Sequence, residues 1–398
     1  MHNDNISDPR WESVEKDKPV SLSPAYPSYW KEVFRKFRGN RLSVLGVICI
    51  LLMTVAAILG PFLSSHSYEK MELDFTNIPP LLDIYQIDED TYLYMHPDYY
   101  FLQVTEDGEI LERLKPVEND MTARTRTFES GTHTITIDYS FLAKARQEET
   151  EHQKIFEVLL DGEEIQPCKR VWNKTYLLGT DGLGRDILVR TLDGARISLT
   201  IAMFATLINS FIGIFYGGIA GYCGGGRIDN FMMRVVDTIS TIPMTLIVIM
   251  LMVVVGPGVK TIILAMGIAN WATMARIVRG QILSLKEREF VLAAKAANAG
   301  GLRILIHHLI PNSSASIIVC MTMMVPSAIF TESFLSFIGL GVSAPSASWG
   351  TLVNEGLAGF RSFPYQLLIP SIAICITILS LNFIGNGLRS AVDPYGER

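Results

Sequence analysis

The sequence has few cysteines and lacks the short motifs of common catalytic and nucleotide-binding sites. Only one of its five cysteines, Cys168, lies in the long polar segment after the first apolar run, so no intrachain disulfide framework is expected. The patterns Gly-x-x-x-x-Gly-Lys-Ser/Thr, His-Glu-x-x-His and Gly-x-Ser-x-Gly do not occur. These absences weigh against a P-loop ATPase, a zinc hydrolase and a serine hydrolase. We therefore expect no catalytic residues, no metal site and no cofactor bound by this chain.

Charged side chains are also scarce. They make up 19% of the residues against 49% apolar ones, and the apolar residues are gathered into long runs. At about 1.5 Å per residue, the run 42–62 extends roughly 31 Å, the thickness of a bilayer's hydrocarbon core. The sequence predicts an all-α polytopic membrane protein with six transmembrane helices at 42–62, 198–222, 231–255, 259–276, 315–337 and 365–388. Pro243 and Pro326 predict kinks in the third and fifth helices.

Basic residues are concentrated in three short segments that flank these helices. With six spans all three segments fall on one side of the membrane, and the positive-inside tendency identifies that side as cytoplasmic. We therefore expect both termini to be cytoplasmic. The basic residues are Lys31, Arg35, Lys36, Arg38 and Arg41, then Arg227 and Arg234, then Arg276, Arg279, Lys286, Arg288, Lys295 and Arg303.

The region before the first span is predicted to lie at the membrane surface. Residues 1–41 combine a polar tail with a basic, partly amphipathic stretch that starts at Trp30. A helix of this kind lies on lipid and leads into the first span. We therefore expect membrane lipid to be its partner.

A long polar insertion separates the first two spans, at 63–175. Within it 134–137 alternates with a period of two, and Asp107-Gly108 and Asp161-Gly162 have the composition of hairpin turns. Residues 66–175 hold 23 acidic and 11 basic side chains, a net charge of −12, which argues against nucleic acid as a partner. The insertion is predicted to be a β-rich extracytoplasmic domain.

The charged, Ala-rich segment 280–312 lies between the fourth and fifth spans. Asn and Gly tolerate a left-handed backbone, so Asn298-Ala-Gly300-Gly301 predicts a tight turn between two short helices. Small Ala side chains would let the first helix lie deep in a groove of a partner. We expect one face of the first helix to hold Phe290, Val291, Ala294 and Ala297, and one face of the second to hold Leu302, Leu305, Ile306 and Leu309.

Four segments carry a family resemblance. They are Leu178-Gly-Thr-Asp-Gly-Leu-Gly-Arg-Asp186 with Gly194-Ala-Arg-Ile-Ser-Leu199, the stretch from Glu289 to Asn312, Glu332-Ser-Phe-Leu-Ser-Phe-Ile-Gly-Leu-Gly341 with Trp349-Gly350, and the stretch from Leu381 to Pro394. Together they resemble binding-protein-dependent ABC importer permeases of the dipeptide, oligopeptide and nickel group, and their order resembles the second of the two permease subunits. Leu292, Asn298 and Asn386 differ from the residues usual in that family.

The resemblance implies a type I ABC importer fold in the cytoplasmic membrane of a prokaryote. It implies a second, homologous permease, two ATPase subunits that bind ATP and Mg, and an extracytoplasmic solute-binding protein. The chain would form half of a pathway for oligopeptides or dipeptides, with a nickel or other metal chelate as the alternative cargo. The implied contacts with the ATPase are Glu289, Phe290, Val291, Ala293, Ala294, Ala297, Asn298, Gly300, Gly301 and Pro311.

Polar residues inside the spans are candidates for the transport pathway, because such groups usually face a bundle interior or a wet path. Asp237 is also placed to pair with Arg234, and Glu332 to meet the amino group of a peptide. From a different class, an ion-coupled secondary transporter would show acidic relays in the membrane and no docking loop. The pathway candidates are Asp237, Asn270, Glu332 and Asn382.

Overall fold

The computed structural model describes residues 29–63, 66–140 and 156–392; the predicted tail at 1–28 lies outside them. Within these residues the protein is a helical membrane-type bundle with a β-rich insertion between its second and third helices. Five helical segments are long and apolar enough to cross a membrane, and a bent pair of shorter helices makes six if it counts as one span.

The helices are named here in chain order. They are α1 (Tyr29–Gly39), α2 (Arg41–Leu63), α3 (Ile187–Tyr222), α4 (Arg227–Thr241), α5 (Met244–Val255), α6 (Val259–Ala269), α7 (Trp271–Leu285), α8 (Glu289–Ala296), α9 (Gly301–Ile304), α10 (Ile310–Asn312), α11 (Ser314–Phe337), α12 (Trp349–Leu357) and α13 (Pro364–Val392). The stretch Leu305–Leu309 between α9 and α10 is π-helical.

The helix α3 begins at Ile187, earlier than the predicted start at 198, because Asp186 caps it. The Asp186 carboxylate accepts hydrogen bonds from the backbone N–H groups of Leu188 (2.7 Å) and Val189 (3.3 Å). These N–H groups have no partner within the helix, so an N-terminal carboxylate stabilises the first turn. The helix therefore extends beyond the apolar run that indicated it.

The fourth predicted span is also longer than expected. The helices α6 and α7 follow one another across Asn270, and the apolar stretch they form runs from 259 to 285 rather than ending at 276. Arg276 and Arg279 suggested an end of the span, but each is paired with a carboxylate of α4. A paired arginine does not end an apolar helix, because its charge is compensated.

The proline in the third predicted span separates two helices. The axes of α4 and α5 differ by 81°, and Pro243 is the residue immediately before α5. Proline has no N–H to donate to the preceding turn, and its ring clashes with that turn, so a bend at this point is expected. In contrast, Pro326 lies within the continuous helix α11.

The backbones of α3 and α7 touch through a row of glycines. A side chain at Gly217 would overlap the carbonyl of Ala275, and a Cβ at Gly221 would lie 2.9 Å from the carbonyl oxygen of Arg279. Gly213 continues the same stripe one turn earlier, against Met274. Small residues at intervals of four let membrane helices approach closely and gain dispersion contacts. This contact therefore depends on glycine.

We predict that Gly217→Ala lowers the thermal stability of the purified chain, by about 1–3 kcal/mol, because the methyl group is forced into the α7 backbone. The matched control is Gly280→Ala on α7, where a Cβ meets nothing within 4 Å. That change is expected to be neutral or stabilising by up to about 1 kcal/mol through helix propensity. Thermal unfolding in detergent tests both, and equal melting temperatures would contradict the glycine contact.

The insertion contains two antiparallel five-stranded sheets with strand orders β10-β1-β2-β3-β4 and β5-β6-β7-β8-β9. In the predicted turn at Asp161-Gly162 both residues have positive φ, and in the other predicted turn Gly108 also has positive φ. The strands are β1 (Leu81–Gln86), β2 (Tyr92–His96), β3 (Tyr100–Val104), β4 (Ile110–Arg113), β5 (Glu118–Asp120), β6 (Thr125–Ser130), β7 (His133–Asp138), β8 (Glu157–Leu160), β9 (Glu163–Glu164) and β10 (Lys169–Trp172).

The two sheets share one apolar core, and a histidine also joins them at its edge. Phe101 of the first sheet meets Phe128 of the second edge-to-face at 5.2 Å. At the edge, His133 Nδ1 lies 2.6 Å from Asp161 Oδ2, and Nε2 lies 3.0 Å from Asp88 Oδ1. The hydrogen bond to Asp161 raises the pKa of His133, since both ring nitrogens donate in the imidazolium form. Asp88 belongs to the loop after β1, so the charged histidine bridges the sheets.

This bridge gives the insertion a stability that depends on pH. Because the folded pKa of His133 is raised, the stabilisation is complete below the unfolded value of about 6.5 and is lost as pH rises through the folded value. We predict that His133→Gln increases amide hydrogen exchange of β7 relative to wild type at about pH 5.5 and changes it little at about pH 9. The same change at the exposed His307 is the control. An effect of His133→Gln that is equal at both pH values would exclude the charged bridge.

Candidate functional site

The segment between α7 and α11 forms a helical hairpin, defined here as residues 289–312. The helix α8 ends in a turn where Asn298 has φ +58°, so this asparagine takes the left-handed conformation that its side chain tolerates. Gly300 then precedes α9, and the second arm continues through the π-helical turn to Asn312. The hairpin is joined to the last turns of α3 and α7.

One face of the hairpin packs against the chain's own helices. Val291 is fully buried and Ala294 half-buried, in a cluster with Met274, Val278 and Ile282 of α7. The second arm contributes Ile304, Leu305 and Leu309 to the same cluster. These contacts fix the hairpin to the bundle.

The opposite face is exposed and largely apolar. Its apolar side chains on α8 are Leu292, Ala293 and Ala296, with Phe290 at the edge and Ala297 just after the helix; Glu289 and Lys295 are also exposed. On the second arm Leu302 and Ile306 are exposed, at 69% and 41%. Each predicted face is therefore divided in the structure: Val291 and Ala294 pack on the bundle while Phe290 and Ala297 are exposed. On the second arm Leu305 and Leu309 are buried while Leu302 and Ile306 are exposed. The three alanines of α8 and Ala297 after it are compatible with either side, so the larger side chains beside them decide the direction.

Polar contacts hold the base of the hairpin. Arg279 of α7 binds both carboxylate oxygens of Asp229 on α4, at 2.6 and 2.8 Å, and the Asp229 side chain is only 1% exposed. Lys286 donates to the carbonyl of Gly224 in the loop between α3 and α4, at 3.2 Å. Two-point arginine–carboxylate pairs are among the stronger polar contacts in proteins. The turns on this side of the bundle are therefore linked.

The hairpin also rests on a tyrosine of α3. A Cβ placed at Gly301 would lie 2.8 Å from Tyr222 Oη and 2.9 Å from its Cε1, whereas one at Gly300 would meet nothing within 4 Å. Gly300 has a negative φ, so a side chain is tolerated there. A larger side chain is therefore tolerated at Gly300 but collides with Tyr222 at Gly301.

We predict that Gly301→Val loosens the hairpin and accelerates tryptic cleavage after Lys295 and Arg303, because the new side chain collides with Tyr222. Gly300→Val is the matched control and is expected to cleave at the wild-type rate. Adding Tyr222→Ala to Gly301→Val should restore protection. Equal rates for the two valine variants would show that Tyr222 does not position the hairpin.

The pathway candidates do not converge in this conformation. The Asp237 carboxylate pairs with Arg276 of α7 at 3.0 Å, and not with Arg234 as the sequence suggested; Arg276 also donates to Ser240. The partner is thus Arg276 on the neighbouring helix α7, and not Arg234, which lies one turn away on α4 itself. Asn270 separates α6 from α7 and Asn382 is half-buried on α13.

Glu332 is fully buried and bound by serine hydroxyls. Ser198 of α3 donates to it at 2.8 Å and Ser336 of α11 at 2.7 Å. Ser348, the N-cap of α12, donates to Ser336, and the Trp349 backbone N–H donates to Ser198. In this conformation Glu332 thus joins α3, α11 and α12 and does not face open space.

The motif Leu178–Asp186 forms the junction between insertion and bundle. Gly179 and Gly184 have positive φ, and Thr180 Oγ1 donates to the carbonyl of Phe75 while accepting from the N–H of Ile78. From α13, Gln366 donates to the carbonyl of Thr180 at 3.1 Å. The chain therefore makes a tight turn here, closed by the hydrogen bond from the Gly184 N–H to the carbonyl of Asp181.

Sequence reasoning missed an ion cluster beside this junction, formed by Asp181, Arg185, Arg190 and Glu355. Arg190 lies 2.6 Å from Asp181 and 2.7 Å from Glu355, and its side chain is 3% exposed. An arginine one turn into α3 was a signal, but Glu355 is distant in sequence and could not be paired with it. No group of three or more potential metal ligands that could hold an ion occurs within 29–63, 66–140 and 156–392.

The bundle and the exposed hairpin define a helical transport permease. Residues 212–395 match the family model of the binding-protein-dependent transport system inner membrane component. Residues 28–80 match the N-terminal transmembrane domain of oligopeptide transport permease C.

Two relatives from Bacillus subtilis (strain 168) extend this match. The oligopeptide transport system permease protein OppC is 50% identical over 222 residues, 56% of this chain and 72% of the relative. The dipeptide transport system permease protein DppC is 36% identical over 372 residues, 93% of this chain and 87% of the relative. A solved structure, the inward-facing MetNI methionine ABC transporter, matches at 15% identity with a TM-score of 0.43, over 51% of this chain and 96% of that one. The chain belongs to the binding-protein-dependent ABC transport permeases, in the group of the oligopeptide and dipeptide permeases, and is a transport subunit of the membrane.

Proposed function

We propose that this chain is the second, C-type permease subunit of an ATP-driven importer and forms half of the pathway that carries oligopeptides or dipeptides across a prokaryotic cytoplasmic membrane. The observation that carries the proposal is the exposed apolar face of the hairpin in a chain of this family. Its partners are a homologous permease, two cytoplasmic ATPase subunits and an extracytoplasmic solute-binding protein. The ATPase subunits bind ATP and Mg; this chain binds no cofactor.

The hairpin is the surface that meets an ATPase subunit. Its outer face has Ala293, Ala296 and Ala297 with Leu292 beside them, so a partner can approach the helix backbone closely. Its inner face packs on α7, and Arg279 with Asp229 links that helix to α4. Movement of the hairpin by nucleotide-driven closure of the ATPases is therefore transmitted to the membrane helices, which alternate between outward-open and inward-open states. The proposed contact residues are the exposed ones among those named from the sequence, with Leu292, Ala296, Leu302 and Ile306 added; Val291 and Ala294 pack on the chain itself.

Six spans follow if α4 and α5 together cross the membrane once. Both termini and the hairpin are then cytoplasmic, and the insertion is extracytoplasmic. Support comes from the length of α3: its 36 residues extend about 54 Å, so the insertion junction and the hairpin lie at opposite ends of a membrane-spanning helix. The basic residues Arg279 and Lys286 lie at the hairpin end, as the positive-inside tendency expects.

Peptide cargo is supported by the names of the relatives, which are oligopeptide and dipeptide permeases. Asp237, Asn270, Glu332 and Asn382 remain pathway candidates in other conformations of the cycle. A nickel chelate is the second cargo to be tested, within the same mechanism. Uptake of labelled dipeptide, of a labelled longer peptide and of radioactive nickel by cells with and without this chain separates the cargoes.

Affinity purification of the tagged chain from its native membrane in mild detergent tests the assembly. The expected companions are ATPase subunits and a second helical permease. Recovery of the chain alone, monodisperse and still active in ion-driven uptake, would replace this proposal with a secondary transporter.

We predict that Ala293→Asp or Ala297→Asp reduces ATP-driven peptide uptake at least tenfold while membrane insertion stays normal. Each places a charge on an apolar docking surface, and an unpaired buried charge costs several kcal/mol. Uptake of labelled peptide is measured beside the amount of chain in the membrane. Ala294 is unsuitable for this test, because it is half-buried in the chain's own cluster and a charge there would disturb the fold.

The control is Arg288→Asp, which adds negative charge at the start of α8. Arg288 is exposed at the N-cap position, where aspartate is favourable. We expect near-normal uptake for this variant. If both alanine variants also transport normally, the exposed face of α8 is not the docking surface.

A further inference from the structure

A cavity of about 440 Å³ opens beside the ion cluster, between the start of α3, α12 and α13. It lies at the end of α3 opposite to the hairpin, and so on the proposed extracytoplasmic side. Leu183, Leu352 and Pro370 supply apolar wall, and both arginines of the cluster reach it. Ligand pockets are commonly of this size, mostly apolar and provided with a few polar groups that fix orientation.

The two arginines are held in place by Asp181. Arg185 Nε and Arg190 Nη1 donate to Asp181 Oδ2 at 2.8 and 2.6 Å, and its Oδ1 accepts from the backbone N–H groups of Leu183 and Arg185. The side chain of Asp181 is only 11% exposed. Asp181 is therefore fully engaged and acts as the fixed support of the cluster.

Glu355 is the exchangeable member of the cluster. Its Oε2 accepts from Arg185 (3.1 Å) and Arg190 (2.7 Å), and its Oε1 accepts from Arg190 (3.3 Å). Unlike the arginines, the Glu355 side chain is 45% exposed, and it comes from the separate helix α12. The partly exposed Glu355 carboxylate thus accepts the hydrogen bonds that the two arginines could otherwise donate to a ligand in the cavity.

We propose that this cavity binds a ligand carboxylate on Arg185 and Arg190, with Glu355 holding the place of that carboxylate in the present conformation. Resting on the proposed function, the ligand is a peptide that presents its C-terminal carboxylate as it enters the pathway. Ligand and Glu355 compete for the same donors. Binding therefore releases α12 from α3 at this point.

The charges select this ligand class. Without Glu355, the two arginines and Asp181 leave one uncompensated positive charge in a largely buried site, which a carboxylate neutralises. A ligand amine would face the arginines and be repelled. The fork of donors on each guanidinium also matches carboxylate geometry, which an ammonium or amide group lacks.

The test is equilibrium binding of radiolabelled trialanine and of trialanine amide to the full purified chain. We expect Glu355→Ala to lower the Kd for trialanine about tenfold and to leave that for the amide unchanged, because the competing carboxylate is gone. Arg185→Lys keeps the charge but loses the fork and should weaken trialanine binding about tenfold, again without effect on the amide. Each variant must first match wild type in monodispersity and thermal stability.

Asp83→Ala is the matched control, because Asp83 forms a two-point pair with Arg170 on the insertion, away from the cavity. It is expected to change neither Kd. The proposal is overturned if no variant binds trialanine, if acid and amide respond equally to Glu355→Ala, or if Asp83→Ala has the same effect. Peptide uptake by cells carrying the wild-type chain tests the transport function separately, and normal uptake with no discrimination in binding would remove only the carboxylate site.

Discussion

The contact between α3 and α7 is the constraint on which the rest of the structure depends. No hydrophobic effect drives two helices together in lipid, so association relies on close packing and on polar contacts between them. The glycines of α3 allow its backbone to touch α7 along three turns. The hairpin core then assembles on α7, next to the C-terminal end of α3. A larger side chain at one of these glycines would push α7 away from α3 and displace the hairpin with it.

Three acidic side chains of the bundle are bound by neighbouring helices. Asp229 pairs with Arg279 and Asp237 pairs with Arg276, while Glu332 accepts hydrogen bonds from serine hydroxyl groups of two helices. In an apolar environment an unpaired polar group is costly, so each pair fixes the relative position of two elements. The short helix α12 is held at both ends, by the serine cluster around Glu332 and by the ion cluster that includes Glu355.

The two ends of α3 carry distinct chemistry. At one end the chain exposes an Ala-rich surface; at the other it holds arginines and carboxylates beside a cavity. Apolar exposure on a hairpin outside the spans is typical of a surface that another protein covers. A charged cavity is typical of a surface that discriminates among small ligands. One long helix connects the two surfaces.

By itself the sequence determined the class of protein, the apolar spans, the β-rich insertion and the turn at Asn298. The class followed from the resemblance of four segments to a known family, and the other features from local composition and period, which need no knowledge of distant residues. Only the tertiary structure decided which face of the hairpin is free. Alanine is compatible with burial and exposure alike, so the packing of Val291 on α7 sets the direction. It also decided that Glu355 meets Arg190 and that Asp237 meets Arg276 and not Arg234, because charge pairing depends on distances between helices that no sequence spacing fixes.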